Sequence, residues 1–480
     1  MHAGPILAYE IHHKNYQIEY NINNIKKRRP NMSYINISDY GVEPNTGAFY
    51  TKEIQTAFNE ASANNATVLI PAGEFLTGTL NLGSASLYLE KGAILKGSPN
   101  IADYVFNGYE HNEMGKTLSL LYSLNNDDIR IYGEGTINLN GDSFYHMEEP
   151  SIPKTIEPLT KNQLDECPRT YDNRPNQPIF FYNCNRVHIE GVRIINAPCW
   201  TMAFIECEDI HVTGLTIDNN LSIPNNDGMH FCSCKKVFVR DCNISSGDDC
   251  IAISCITDWN KPCEDIVISD CILRSSSKAI VVGYMHSIVR NVCITNCIIK
   301  ESNRGLCVMT SSRTGLVENL LVSNLLIDTR IRAGGWWGNG EAICIMSTYH
   351  HNSSYADKVP DRLFPVNIRN VNLQNIICST ENVLAIVGEG DNIRDVHFNG
   401  LTVELKDSEN IMIKGRIVDV SPSEQVAALP EEQEAYWLHL QGTRDITIDN
   451  AFISPFHNRK PRVSERNCRN IYINAVNLES

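Results

Sequence analysis

The fold is decided by the stretch Pro224-Asn225-Asn226-Asp227-Gly228-Met229-His230-Phe231 together with Ile244-Ser245-Ser246-Gly247-Asp248-Asp249-Cys250-Ile251-Ala252-Ile253. It holds three aspartates, Asp227, Asp248 and Asp249, set beside glycines. Asp227 and Asp248 are 21 positions apart. The surrounding sequence repeats with nearly the same period, so the spacing of the aspartates follows from the repeat.

A strand-like pattern recurs along the chain. A polar or charged residue is followed by three or four positions that alternate between apolar and other residues, and then by a turn residue. Most steps between repeats are 23 to 29 residues, and two steps near 50 are interpreted as two units each. The repeats begin at Val187, Ile210, Val237, Ile266, Val292, Leu320, Val371, Val396, Ile446 and Ile471.

A sharp bend is predicted four residues after each start, because residues that tolerate positive φ stand there. Only Ala475 breaks the rule. Short β-branched strands, a bend at a fixed offset and a period in the twenties predict an all-β, parallel β-helix in which each coil stacks on the next. The expected bends are Gly191, Gly214, Asp241, Asp270, Asn296, Asn324, Asn375, Gly400 and Asn450, and Cys242, Cys271 and Cys297 are expected to stack inside.

The domain organisation follows from where the period holds. Residues 1–33 are interpreted as an N-terminal arm, and residues 34–480 as one β-helix domain. Apolar residues at helical spacing between Lys52 and Asn64 predict a short helix that caps the first coil. Loop excursions are expected near residues 141–178, 330–365 and 405–436.

Composition excludes several classes of function. The formal net charge is −15 and there is no basic block, which argues against a nucleic-acid partner. No run of about 18 apolar residues is present, so no membrane span is expected. The N-terminus lacks the pattern of a secretion signal, so a cytoplasmic location is expected unless a signal has been removed. The 17 cysteines are interpreted as reduced core thiols rather than a metal site.

The repeat should place Asp227 and the pair Asp248–Asp249 on adjacent coils, about 4.8 Å apart along the axis. Each tripeptide alone is explained as a turn. Three carboxyls brought together by the period instead favour general acid–base chemistry, because clustered carboxylates raise at least one pKa. His230 is interpreted first as a core histidine or a support for the aspartates.

At this point the motifs resemble those of glycoside hydrolase family 28, the polygalacturonases and their relatives, over roughly residues 34–480. The resemblance implies a single-stranded, right-handed, pectin-lyase-like β-helix that hydrolyses glycosidic bonds with inversion and needs no metal or other cofactor. It also implies that Asp248 is the general acid, while Asp227 and Asp249 activate water. Inverting hydrolases usually hold their two carboxyls roughly 6.5–9.5 Å apart.

Two family motifs are replaced. Ser277-Lys278-Ala279 stands where the family has Gly-His-Gly, and Cys307-Val308-Met309 stands where it has the Arg-Ile-Lys that grips a uronate. Losing that grip removes charge-assisted hydrogen bonds to an acidic sugar. The expected substrate is therefore a pectic or related cell-wall oligosaccharide, with exo action or a rhamnogalacturonan-type neutral sugar on the leaving side as alternatives.

Substrate contacts are expected from residues that the register or a loop brings to the same face. Asp249, Lys278 and Arg304 share one offset in the repeat and should form a ladder, which serves either substrate binding or a structural ion pair. Tryptophans in a glycine-rich loop can stack on sugar rings, although most tryptophans are core. The expected binding residues are Asn225, Lys278, Arg304, Trp336, Trp337, Glu341 and His350.

Two rival functions stay open from the sequence. A polysaccharide lyase on the same fold would need a calcium-binding carboxylate cluster and a Lys or Arg base. A non-catalytic carbohydrate-binding solenoid would bind glycans and release no product. The oligomeric state is left open.

Overall fold

A computed structural model describes residues 33–151, 159–256, 258–349, 359–409, 417–419, 426–428, 436–457 and 459–477. Residues 34–480 form one compact unit. The expected arm falls almost wholly outside the described residues, so the predicted domain limits stay predictions. No helix among the described residues is long and apolar enough to cross a membrane.

Parallel strands make up almost all of the described structure, as the repeat predicts. The larger sheet has 22 strands: Tyr34–Asn36, Thr67–Ile70, Gly73–Thr77, Ser86–Leu89, Ala93–Gly97, Arg130–Gly133, Thr136–Asn138, Asn185–Glu190, Arg193–Ile195, Glu208–Thr213, Thr216–Asp218, Lys235–Arg240, Asn243–Ser246, Cys263–Ser269, Ile272–Ser275, Ile288–Thr295, Ile298–Ser302, Leu316–Thr329, Ile368–Thr380, Ile393–Leu405, Thr443–Ile453 and Arg469–Asn477.

The second parallel sheet closes each coil on the side where the aspartate motifs lie. It has 12 strands: Leu80–Asn81, Leu121–Leu124, Ile179–Tyr182, Met202–Ile205, Met229–Cys232, Ile251–Ser254, Lys278–Val282, Arg304–Thr310, Ile343–Ser347, Leu384–Gly388, Tyr436–Gln441 and Arg462–Arg466.

The register confirms the repeat pair by pair. Val187 pairs with Ile210, Ile210 with Val237, and so on through all ten predicted starts to Ile471. All nine predicted bend residues have positive φ, between 53° and 74°. The last pairing shifts register between Ile448 and Ala451, next to the unit where Ala475 breaks the rule.

The interpretation of the two long steps as two units each is wrong. Leu320 pairs directly with Val371, and Val396 pairs directly with Ile446. Each long step is therefore a single coil. Each of these two coils contains one strand of the second sheet, Ile343–Ser347 or Tyr436–Gln441. The extra residues form an excursion from the coil.

The core fills the inside of the coil with stacked side chains. Phe181, Phe204 and Phe231 stack on successive coils, with centroids 5.2 and 5.1 Å apart. Cys242, Cys271 and Cys297 are buried, as predicted, and all 17 cysteines are free thiols. Because adjacent coils lie about 4.8 Å apart, like residues stack on like.

The predicted cap is the α-helix Thr51–Asn64. Ile54, Ala57, Phe58 and Ala61 are fully buried on one face, which packs against the first strands. Asn65 ends the helix in the left-handed conformation. A second helix, Lys161–Glu166, has a capping box formed by Thr160 and Gln163.

Short antiparallel strand pairs and 3-10 helices lie outside the two parallel sheets. Three antiparallel hairpins are described: Phe106–His111 with Gly115–Leu118, Tyr145–Pro150 with Arg169–Tyr171, and Ile417–Asp419 with Val426–Ala428. Short 3-10 helices cover Ile37–Tyr40, Ile101–Asp103 and Gly141–Phe144. The first hairpin reaches the cleft described next.

Candidate functional site

The three aspartates meet just before two neighbouring strands of the second sheet. Asp227 precedes Met229–Cys232, and Asp248 and Asp249 precede Ile251–Ser254, which pairs with it in register. One oxygen of each carboxyl lies within 4.8 Å of the others. All three residues are at most 8% exposed. The coil spacing thus brings the carboxyls together, as the sequence suggested.

Glycines allow the two motifs to come this close. A Cβ on Gly228 would lie 2.4 Å from the carbonyl oxygen of Cys250, and one on Gly247 would lie 2.1 Å from that of Ile223. Neither position could accept a side chain without moving the backbone. These glycines serve the close packing of adjacent coils rather than a positive φ.

Hydrogen bonds fix Asp248. Its backbone carbonyl accepts from the hydroxyls of Ser246 at 2.6 Å and Ser275 at 2.7 Å. Its carboxyl accepts from the backbone N–H of Asp249 at 3.0 Å and from the side-chain amide of Asn225 at 3.4 Å. These hydrogen bonds fix the orientation of the Asp248 carboxyl, which lines the cleft.

Asp227 contacts a histidine. The Nε2 of His230 lies 2.7 Å from Oδ2 of Asp227, and the ring stacks on Trp200 with centroids 3.5 Å apart. Burial lowers the pKa of His230 to about 3, so the ring is neutral at neutral pH. The other oxygen of Asp227, Oδ1, is buried without a hydrogen-bond partner among the described residues.

Burial and mutual repulsion dominate the electrostatics. The pKa of Asp248 is raised well above its ordinary value by burial, and then by the charges of Asp227 and Asp249. The pKa of Asp227 is also raised, by burial and by Asp249. Asp227 and Asp248 together therefore hold a proton at pH values where ordinary aspartates are ionised.

Lys278 is the counter-charge. Its ammonium lies 3.1 Å from Oδ1 of Asp249, with side chains only 9% and 12% exposed. Burial disfavours that ammonium, but Asp249 and Asp248 outweigh it and raise the pKa of Lys278. The predicted ladder register is correct, because Lys278 pairs with Arg304 in the sheet.

The aspartates line a cleft of about 640 Å³, a volume that includes open solvent at its mouth. Apolar walls come from Ala252, Ile256, Val281 and Met309. The remaining lining residues are Glu113, Trp200, Asn225, Asp227, His230, Asp248, Asp249, Ser254, Lys278, Gly283, Tyr284 and Trp337. The cleft combines sugar-sized space with convergent polar groups.

Three of the seven expected binding residues line this cleft: Asn225, Lys278 and Trp337. The carbonyl of Trp337 accepts from the hydroxyl of Ser277 at 2.9 Å, and its ring lies 5.9 Å from the ammonium of Lys278. His350 lies outside the described residues. The assignment of these side chains to substrate binding stays a prediction.

The structure places the other three expected residues away from the cleft lining. Arg304 and Glu341 are fully buried and form an ion pair with Nε 3.1 Å from Oε2. Trp336 is 6% exposed, and its indole N–H donates to the carbonyl of Glu166 at 2.8 Å. Arg304 points into the protein because the buried carboxylate of Glu341, on the next coil, pairs with it. The position of Arg304 within its repeat does not predict this partner.

Sequence reasoning missed Glu113, Trp200 and Tyr284. Glu113 lies at the turn of the hairpin Phe106–His111/Gly115–Leu118, far before the aspartate motifs. No period or motif marks it. The repeat could have revealed Trp200. Met202 pairs with Met229 on the next coil. Trp200 and Asp227 each stand two residues before their member of this pair, so they are neighbours on adjacent coils.

The three aspartates are also the one set of His, Cys, Asp and Glu in the described part of the chain whose ligand atoms are close enough to hold a metal ion. Lys278 already neutralises one of them. The same carboxyls are arranged so that they can also give a proton to a bound substrate or take one from water.

Comparisons with known proteins match the chain to a family and to several relatives. Residues 61–421 match the model of Glycosyl hydrolases family 28. A probable polygalacturonase of Vitis vinifera is 24% identical over 369 residues, covering 72% of this chain and 69% of that protein. A probable exopolygalacturonase B of Aspergillus terreus is 30% identical over 132 residues, covering 26% of this chain and only 27% of that protein.

Solved structures show the same fold. The family 28 exopolygalacturonase of Yersinia enterocolitica superposes with a TM-score of 0.67 at 19% identity, covering 92% of this chain and 78% of that one. An exopolygalacturonase of Thermotoga maritima gives a TM-score of 0.56 at 19% identity, covering 93% and 95%. The right-handed parallel β-helix is confirmed.

Proposed function

The chain belongs to glycosyl hydrolases family 28 and is a glycoside hydrolase, and from this premise we propose that it cleaves a pectic oligosaccharide with inversion, using Asp248 as the general acid and Asp227 with Asp249 to activate water. The observation that carries the proposal is the meeting of three buried carboxyls within 4.8 Å in an open cleft. Names of relatives as polygalacturonases support the pectic substrate.

Asp248 suits the role of acid. Its raised pKa, caused first by burial, keeps a proton available for the leaving oxygen. The amide of Asn225 orients the carboxyl, and the oxygen that leaves takes the proton as the glycosidic bond breaks. Repulsion from Asp227 and Asp249 favours the protonated form until that proton is given up.

Asp227 and Asp249 suit the role of base. One oxygen of the acid Asp248 lies within 4.8 Å of both of them, which is closer than the roughly 6.5–9.5 Å that usually separates acid and base in inverting enzymes. A water molecule with hydrogen bonds of about 2.8 Å to both still fits between oxygens up to about 5.5 Å apart. The water is therefore held between these two carboxyls. Lys278 stabilises the negative charge of Asp249, and the neutral ring of His230 holds Asp227.

The leaving side lacks a cationic grip. Lys278 is the one lysine or arginine among the described residues that line the cleft, and it is paired with Asp249. Met309, in the segment that replaces the family's charged grip, lines the cleft and is apolar, as is its neighbour in the lining, Val281. These walls support a neutral sugar on that side, in an exo-acting or rhamnogalacturonan-type reaction.

The test is incubation with a panel of pectic oligosaccharides, with products read by mass spectrometry. Hydrolysis adds the mass of one water to the summed products, and Asp248→Asn should release about 10²–10⁴-fold less product in the same time. Products without that added mass would identify elimination and replace the hydrolase mechanism with a lyase. Glycan binding without any product from the whole panel would identify a carbohydrate-binding protein.

A further inference from the structure

Glu113 is a fourth carboxyl in the cleft, and it comes from a separate part of the chain. The turn of its hairpin is docked firmly. The backbone N–H groups of Glu113 and Met114 both donate to Nδ1 of His111 at 3.1 Å. The side-chain amide of Asn112 donates to the carbonyl of Ile256 at 3.0 Å. The hairpin therefore holds Glu113 against the coil that carries Asp249.

Two further contacts tie the hairpin to the cleft. The amide of Asn176 donates to the carbonyl of Met114 at 2.7 Å. The ring of His111 meets Trp200 edge-on, with centroids 5.1 Å apart. A side chain at the end of such a fixed hairpin keeps a defined position relative to a bound sugar.

The surroundings of Glu113 are charged and partly polar. The titratable groups that face it are Asp249, Asp227, Lys278 and Tyr284. Tyr284 hydrogen-bonds its carboxyl. Glu113 is an exposed residue of the cleft lining, and desolvation by nearby protein atoms together with the charge of Asp249 raises its pKa to about 7.

We propose that Glu113 is a specificity-determining residue, which accepts hydrogen bonds from the hydroxyls of a neutral glycosyl residue in the cleft and excludes a uronate at that position. The inference rests on the proposed function and names its substrate class. A carboxylate is an acceptor for paired hydroxyls. It repels the carboxylate of a uronic acid, and the four acidic lining residues outnumber the single lysine.

The decisive experiment compares binding of one sugar in two charge states. Galacturonate oligosaccharides and their fully methyl-esterified, neutral forms are titrated calorimetrically into two proteins. The parent carries Asp248→Asn alone, and the second protein carries Asp248→Asn together with Glu113→Gln. At about pH 8.5, where Glu113 is almost fully ionised, the Asp248→Asn parent should bind the neutral form at least about tenfold more tightly than the acidic form. Glu113→Gln should reduce that ratio to about threefold or less.

Two further arms separate specificity from structure. In the parent the ratio should fall as the pH is lowered through about 7, since Glu113 then gains a proton, and in the Glu113→Gln protein it should stay flat. Glu110→Gln is the matched control, because Glu110 is exposed on the same hairpin and outside the cleft lining. It should bind like the parent.

The outcomes distinguish this inference from the proposed function. An unchanged ratio in Glu113→Gln, tighter binding of the acidic form by the parent, or no binding of either form would overturn the role of Glu113. Turnover of pectic oligosaccharides by the protein with native Asp248 is measured separately. Its absence would overturn the proposed function while leaving the binding result to decide the role of Glu113.

Discussion

Asp248 is buried like a core residue, yet it carries a group that prefers water. Its folded pKa is raised above the unfolded value of about 3.9. The associated stability is full below that unfolded pKa and is lost as the pH rises through the folded pKa. The carboxyls that we propose to be catalytic therefore lower the stability of the fold at neutral pH.

Asp248→Asn should consequently gain stability and lose activity together. We expect the midpoint of thermal unfolding to rise by at least about 1 °C at pH 7, with the gain vanishing below about pH 4. Turnover should fall by about 10²–10⁴-fold. Calorimetry at both pH values and a product assay measure the two effects.

Asp241→Asn is the matched control for that variant, since Asp241 is exposed at a bend where Asn is equally at home. It should leave both the unfolding midpoint and the turnover unchanged. A lower midpoint for Asp248→Asn at pH 7 would show that the carboxyl stabilises the fold and is not kept protonated by burial.

Lys278→Met tests whether the buried pair serves the charge of Asp249. Removing one partner leaves an uncompensated carboxylate, so the free energy of unfolding should fall by about 3 kcal/mol, and turnover should be lost. Adding Asp249→Asn should restore most of the stability and none of the activity. Denaturant unfolding of the single and double variants measures the coupling.

The exposed pair between Lys235 and Glu264, at 3.3 Å with Lys235 half exposed, gives the comparison. Lys235→Met should cost no more than about 0.5 kcal/mol. If Lys278→Met and Lys235→Met lowered the free energy of unfolding equally, and Lys278→Met kept its turnover, the pair in the cleft would contribute no more than a surface ion pair.

At the scale of elements, the excursion that holds Arg174 connects through Asn225 to Asp248, the proposed acid. The guanidinium donates to the carbonyls of Pro198 at 2.8 Å and Pro224 at 2.7 Å, and to Oδ1 of Asn225 at 2.9 Å. The amide of Asn225 is thereby turned so that its nitrogen faces Asp248. We therefore expect Arg174 to act as a positioning residue for Asp248.

Arg174→Met should lower kcat by about 10–100-fold with little change in KM, because it disturbs the acid and not the sugar contacts. The alkaline limb of the pH–rate profile should also move, since Asn225 no longer holds its orientation toward Asp248. Lys161→Met removes a charge from an exposed position of the same excursion and should change neither value. An altered KM with an unchanged pH profile would contradict the positioning role.

The elements also show where sequence reasoning stops. A period of stacked strands fixed the ten repeat starts and the nine bends, because each depends on residues local to its own coil. The pairing of Arg304 with Glu341 and the position of Glu113 in the cleft depend on excursions from the coil. The sequence of these excursions has no repeat from which their course could be predicted. The same reason explains why two long steps were misread as two units each.

At the scale of the whole molecule, the solenoid needs a cover at its first coil. The helix Thr51–Asn64 supplies it, with Phe58 fully buried. Phe58→Ala should lower the free energy of unfolding by about 3–5 kcal/mol while folded protein keeps its turnover, since the cleft is formed by later coils. The exposed change Lys52→Ala should have little effect in the same denaturant titration, and equal losses would show that the helix face does not cap the core.

The central claim is that three aspartates on adjacent coils hydrolyse a glycosidic bond by direct attack of water. Nuclear magnetic resonance of the anomeric proton, followed from the first seconds of reaction on a cleaved oligosaccharide, tests it most directly. The account predicts that the first product has the anomeric configuration opposite to that of the bond cleaved. A first product that retains the configuration would contradict it.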